Sequence, residues 1–141
     1  MNWITLALMT AFFYGAYNVF IKVASGHINQ IVGAVILQIV AALLGCIILL
    51  AMKMSNTPLE ISTKGIWLSI AAGVFVGLAE ITSFYVFSRG VSASIGIPVI
   101  IGGSILVGAI LGLTFLNETI NPIHYLAIGL IIIGVAILSA K

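Results

Sequence analysis

Five apolar runs, Trp3 to Ala24, Ile31 to Met52, Gly65 to Ser88, Ser92 to Leu116 and Pro122 to Ala140, take up most of a chain of 141 residues. Each is close to the roughly 20 residues that carry a helix across bilayer hydrocarbon. Five crossings leave about 40 residues for ends and connections, too few for a sizeable soluble domain. Composition says the same thing. Only 6% of the residues are charged and the mean hydropathy is +1.35, whereas a globular domain covers its surface with about 25% charged residues. Strands of a membrane barrel alternate apolar and polar residues, and Val99 to Leu116 does not alternate. The expected fold is an all-α integral membrane bundle of five helices, a single domain over residues 1–141, with the lipid bilayer as its solvent.

Punctuation between the runs fits helices. Ser25-Gly26-His27 ends the first, Lys53 to Lys64 forms the longest connection, Arg89-Gly90 breaks the third from the fourth, and Asn121-Pro122 supplies an N-cap followed by Pro. Trp3, Trp67 and Tyr125 fall near one bilayer face, where amphipathic rings collect. The first run has no basic flank and no small-x-small cleavage site, so it is expected to be a retained span and not a signal peptide. A net charge of +2 spread along the chain builds no basic surface for nucleic acid. Cys46 is the single cysteine, so no intrachain disulfide or Cys-based metal site is expected, and no cofactor or metal is implied.

Five crossings place the two ends on opposite faces. The N-terminal face, side A, collects Lys53 and Lys64, and the opposite face, side B, collects Lys22, Arg89 and Lys141. Basic residues near span ends set orientation, and here the two faces differ by one. Either the chain inserts both ways up, or it has one orientation set by finer detail.

Glu80 stands near the middle of the third run, where an ionisable group costs several kcal/mol unless partnered. At helical spacing Gly73, Gly77, Glu80 and Phe84 share a face, which puts the carboxyl beside a groove that another helix can approach closely. Low dielectric disfavours the charged form of a buried carboxyl, so a group held there can trade a proton for a substrate. The competing reading is a Glu neutralised by Lys22 or by a hydroxyl. Lys22 is nearer side B by roughly six residues, about 9 Å at the helical rise, so direct pairing requires it to reach inward. In the first run Thr10, Tyr14, Asn18 and Lys22 recur every four residues with Tyr17 adjacent, a stripe expected to face the bundle interior. These groups, with Gln38 in the second run, are candidates for a substrate pathway or for hydrogen bonds between helices. With Phe12, Phe13 and Phe20 nearby, the stripe could also contact an organic cation. In the fourth run Ser104, Gly108 and Gly112 form a small-residue surface, beside Gly102-Gly103, for close helix contact, and Pro98 is expected to kink the helix and is a candidate for the pathway. His27 and His124 read as interfacial residues. Nothing resembles a nucleophile with its base, a phosphate loop or a metal cluster, so no enzymatic activity is expected.

Phe12-Phe13-Tyr14-Gly15 through Lys22-Val23-Ala24, then Ser92-Ala93-Ser94 and Pro98, then Leu116-Asn117-Glu118-Thr119-Ile120 followed by Gly129 and Gly134-Val135, resembles the five-span EamA-type repeat of the drug/metabolite transporter superfamily. The likeness covers almost the whole chain. The last helix, Gly129 to Val135, is also similar to the dimer-forming helix of the small multidrug resistance proteins of that superfamily. The membrane-embedded Glu which those proteins carry in their first helix is absent, and Tyr14 stands near its place, so their antiport mechanism does not transfer. Glu80 is not part of the general repeat pattern.

Full-length members of the superfamily look like two repeats of opposite orientation around a central cavity. The resemblance and the charge balance together imply an antiparallel homodimer; the small residues expected at helix packing or at the dimer contact are Gly73 and Gly77 in the third run and, on the fourth and fifth helices where the dimer should form, Ser104, Gly108, Gly112, Gly129 and Gly134. The implied function is secondary transport of a small-molecule substrate, a metabolite or organic cation, by alternating access. The expected setting is the inner membrane of a prokaryotic cell. Two other readings stand beside it: a small dimeric channel lined by Tyr17, Asn18 and Gln38, and an accessory subunit that packs on a larger membrane protein through Ser104 to Gly112 and carries no flux alone.

Overall fold

A computed structural model of the chain describes residues 2–140. Lys141, one of the three basic residues counted for side B, lies outside them. The described residues form five α-helices: α1 (Trp3–Ala24), α2 (Gln30–Met54), α3 (Thr63–Ser88), α4 (Ala93–Phe115) and α5 (Pro122–Ser139). All five are long and apolar enough to cross a membrane. Their ends fall within two residues of the apolar runs because capping residues, not hydropathy alone, set them. Asn29 accepts the amides of Ile31 and Val32, Ser62 accepts that of Gly65, and Asn121 accepts that of Ile123 ahead of Pro122 at the first helical position.

The last turn of α2 closes with Asn56 in the left-handed region at φ 51°. The Asn56 amide donates to the Lys53 carbonyl and that of Thr57 to the Met52 carbonyl, the paired bonds that satisfy orphan carbonyls at a helix end. Gly90, at φ 87°, does the same after α3, its amide donating to the Phe87 carbonyl at 3.1 Å.

Contacts divide the chain into two compact units, Met1–Asn18 with Val91–Lys141, and Val19–Gly90. In the second unit α2 packs along α3. Its buried residues sit at one end only: Ile21 and Ser25 from α1 and the turn after it, Gly33 and Ala34 from the start of α2, and Glu80, Ser83, Phe84 and Phe87 from the last turns of α3. Every residue from Ile39 to Val76 is exposed. The centre of the packed end is the Phe84 ring laid on Gly33, where a Cβ would stand 2.5 Å from the ring's Cε1.

In the other unit α4 packs on α5. Gly102 makes the close approach, since a Cβ there would collide with Val135 and lie 3.6 Å from Ile131. Helix α4 runs unbroken through Pro98. No residue of α5 is buried. A water-soluble protein with this much exposed Leu, Ile and Phe would associate through it, whereas in a bilayer the same surface is lipid contact, and the protein is an integral membrane protein.

Candidate functional site

Glu80 projects from α3 three residues after Gly77 and four before Phe84, on the face turned to α2. It is 7% exposed. One turn along that face the Gln38 amide lies over Gly77, its Oε1 and Nε2 at 3.6 and 3.7 Å from where a Cβ would stand. Gln38 and Glu80 each stand eight residues in from the helix ends that face the α1–α2 turn, about 12 Å at the helical rise. An amide with donor and acceptor capacity and a titratable carboxyl are thus at one depth in the span. Ser83, 8% exposed, follows Glu80 toward the packed end.

Lys22 is half-buried and donates from Nζ to the Phe87 carbonyl at 3.3 Å. That carbonyl belongs to the last turn of α3, where carbonyls lack helical partners and the helix dipole is negative. The ammonium therefore anchors at the helix end, as the sequence spacing favoured, and not at mid-span.

In the other unit the α1 stripe departs from expectation. Thr10 and Tyr14 are exposed and Tyr17 is half-buried, whereas Asn18 is 3% exposed. Residues four apart on a helix of 3.6 per turn advance by about 40° per step. The stripe therefore winds around α1, and its members do not face one direction. Thr10 bonds to the Leu6 carbonyl and Asn18 to the Tyr14 carbonyl, each four residues back on its own helix. The Tyr14 and Tyr17 rings lie 5.5 Å apart, but Phe12, Phe13 and Phe20 are each 62% to 74% exposed.

The small-residue surface of α4 is cut short by the turn that follows the helix. Gly112 is buried under the turn that follows it, where a Cβ would stand 2.7 Å from the Glu118 carboxylate and where its carbonyl accepts the Glu118 amide at 3.1 Å. It is not part of an open surface with Ser104 and Gly108. Those two are exposed; Ser104 bonds back to Ile101, and space is open above Gly108, as it is above Gly73, Gly129 and Gly134. Gly73 thus lies outside the groove that begins at Gly77. Pro98 lines an apolar groove between α4 and α5 with Ile101, Gly134 and Leu138, and no polar side chain accompanies it there.

Sequence reasoning missed Gly33 and Phe87, whereas Gly102, expected at a close helix contact, is found at one. Small residues are frequent throughout the chain, and nothing in their spacing marks the one that lies beneath a ring.

Five apolar helices with a carboxyl buried within one of them define a multi-spanning integral membrane protein whose polar residues are not for solvent. The family model of the EamA-like transporter family matches residues 1–140, and the chain belongs to that family of membrane transporters. Comparison with curated proteins and with solved structures finds no match.

Proposed function

We propose that this transporter is a secondary carrier of a small metabolite or organic cation, driven by protons that Glu80 takes up and releases. The observation that carries the reading is Glu80 itself, an acidic side chain buried within an apolar span, eight residues from its end and level with the Gln38 amide. A carboxylate in that position is costly, and a solute that brings positive charge, or a proton in its place, offsets the cost. Competition between the two for one carboxyl is the coupling. Gln38 supplies hydrogen bonds that orient the solute. No bond in the solute is made or broken.

The working form in this proposal is an antiparallel homodimer in the inner membrane of a prokaryotic cell, with alternating access around the Glu80 sites. Support comes from the near-even division of basic residues between the two faces and from the open small-residue positions Ser104, Gly108 and Gly129.

The test is solid-supported-membrane electrophysiology of the reconstituted chain against a library of metabolites and organic cations. A carrier saturates and is accelerated by counter-substrate; flux far above carrier turnover without such acceleration would instead indicate a channel, and no flux an accessory subunit. Glu80→Gln keeps shape and hydrogen bonding but cannot titrate, so it should abolish pH-driven uptake and leave substrate exchange largely intact. Wild-type pH dependence in that variant would refute proton coupling through Glu80.

A further inference from the structure

We propose that the packed end of the Val19–Gly90 unit is a closed gate over the Glu80 site, with the Phe84 ring on Gly33 as its plug and the Lys22 bond to the Phe87 carbonyl as its latch. The inference rests on the transport reading above and adds which residues shut one face.

The distribution of burial is the first observation. All buried side chains of this unit come from the last turns of α1 and α3, the first turns of α2 and the turn at Ser25, while Ile39 to Val76 is exposed throughout. The boundary falls at Gln38 and Gly77, the half-buried pair beside Glu80. The candidate site is therefore at the inner edge of a plug, not in the middle of a uniformly packed bundle.

The contacts suit opening and closing. Gly33 offers the Phe84 ring a flat backbone surface with no side chain interlocked at that contact, so the two faces can part when α3 moves from α2. Lys22 holds its partner by one hydrogen bond on a flexible four-carbon stem. A charged donor at a helix C-terminus is favourable but remains exchangeable for water at an interface. Ile21, Ala34 and Phe87, all at most 2% exposed, are buried at the same end. Parting α3's last turns from α2's first turns would break the two named contacts together and expose Ser83 and then Glu80 from that end.

The experiment uses the full chain with Cys46→Ser and a reporter cysteine at the buried position, Ser83→Cys. A charged methanethiosulfonate, which reaches a thiol only with water, is applied to the purified protein, and Thr57→Cys in the exposed α2–α3 connection gives the open reference rate. With the gate intact, Ser83→Cys should react far more slowly than Thr57→Cys. Lys22→Met keeps the apolar stem and removes the donor; it should raise the Ser83→Cys rate by about tenfold, the scale set by losing one charge-assisted hydrogen bond, and leave the Thr57→Cys rate unchanged. Lys22→Arg should restore protection. Phe84→Ala should raise the rate further, and Lys22→Met serves on its own if that variant does not fold. Labelling of Ser83→Cys at the reference rate in the unaltered gate, or unchanged labelling in Lys22→Met, would overturn the gate. Expected labelling in a wild-type chain that shows no solute flux would also overturn it, as a structural clamp, and that result differs from carrier flux with unprotected Ser83→Cys, which leaves the transport reading intact.

Discussion

Gly33→Ala and Gly77→Ala make the same chemical change on the two helices of one packed pair, and the structure assigns them opposite signs. At Gly33 a new methyl would stand 2.5, 2.8 and 3.1 Å from Cε1, Cζ and Cδ1 of Phe84, where carbon atoms settle at about 3.5–4.0 Å. The ring must retreat by about 1 Å. It has little space to do so, being 2% exposed, with Phe87 at 1% one turn further along α3. Overpacking of this kind costs about 1–3 kcal/mol, against a gain of about 0.8–1.0 kcal/mol for replacing a helical Gly by Ala. At Gly77 the nearest atoms are the Gln38 amide at 3.6 and 3.7 Å, ordinary contact, so only the gain applies.

The two variants should therefore differ by the overpacking cost alone, about 1–3 kcal/mol. The assay is the temperature at which half the detergent-solubilised protein stays monodisperse on size exclusion. Gly33→Ala should fall several degrees below the parent, and Gly77→Ala should match or exceed it. Adding Phe84→Leu to Gly33→Ala should recover part of the loss, since the smaller side chain vacates the space that the methyl needs. Equal midpoints for the two single variants would refute the placement of Phe84 on Gly33.

Gly102→Ala should destabilise the α4–α5 pair by about 1–3 kcal/mol through collision with Val135, read as a lower size-exclusion midpoint. Gly108→Leu and Gly129→Leu, where space is open, should leave that midpoint unchanged but reduce the dimer fraction in bilayers; an unchanged dimer fraction in both would place the dimer contact elsewhere. Asn117 holds φ 53° in the turn after α4, so Asn117→Ala should cost about 1–2 kcal/mol and Asn117→Gly should be near neutral in the same assay. Topology reporters fused after Ser139 should be found on both faces of the membrane, and two added Lys between Lys53 and Lys64 should drive that loop to the cytoplasm; signal from one face in every fusion would remove the dual-orientation idea.

The spans and their ends were legible because they follow from one-dimensional signals. Lipid demands about 20 apolar residues per crossing, and Asn29, Ser62 and Asn121 announce helix starts through their own chemistry. The burial of Glu80 was legible for the same reason, as a lone carboxyl in an apolar run. What could not be read was partnership. Periodicity places Gly77, Glu80 and Phe84 on one face of α3 but does not say that Phe84 meets Gly33 or that Gly77 meets Gln38. Four-residue spacing misled in the α1 stripe, because a drift of about 40° per step carries the third member well off the line of the first, and in Ser104–Gly108–Gly112 it could not show that the turn after α4 folds over Gly112.

The lipid-facing hydroxyls of the spans and the Glu80 carboxyl follow different rules, and the difference bears on where packing concentrates. Thr10, Thr82, Ser104, Thr114 and Ser139 each bond to a carbonyl three or four residues back on their own helix, so each is satisfied before any neighbour arrives and can face lipid. All five are exposed. An ionised carboxyl has only acceptors and cannot use its own helix's carbonyls in this way, so Glu80 in that form depends on groups from elsewhere. An amide or carboxyl set in lipid costs several kcal/mol, so packing of α2 along α3 is favoured where Gln38 and Glu80 stand. Beyond that depth the hairpin needs no further packing. Its remaining span surface, Ile39 to Met52 and Gly65 to Val76, is left for whatever apolar surroundings the membrane supplies.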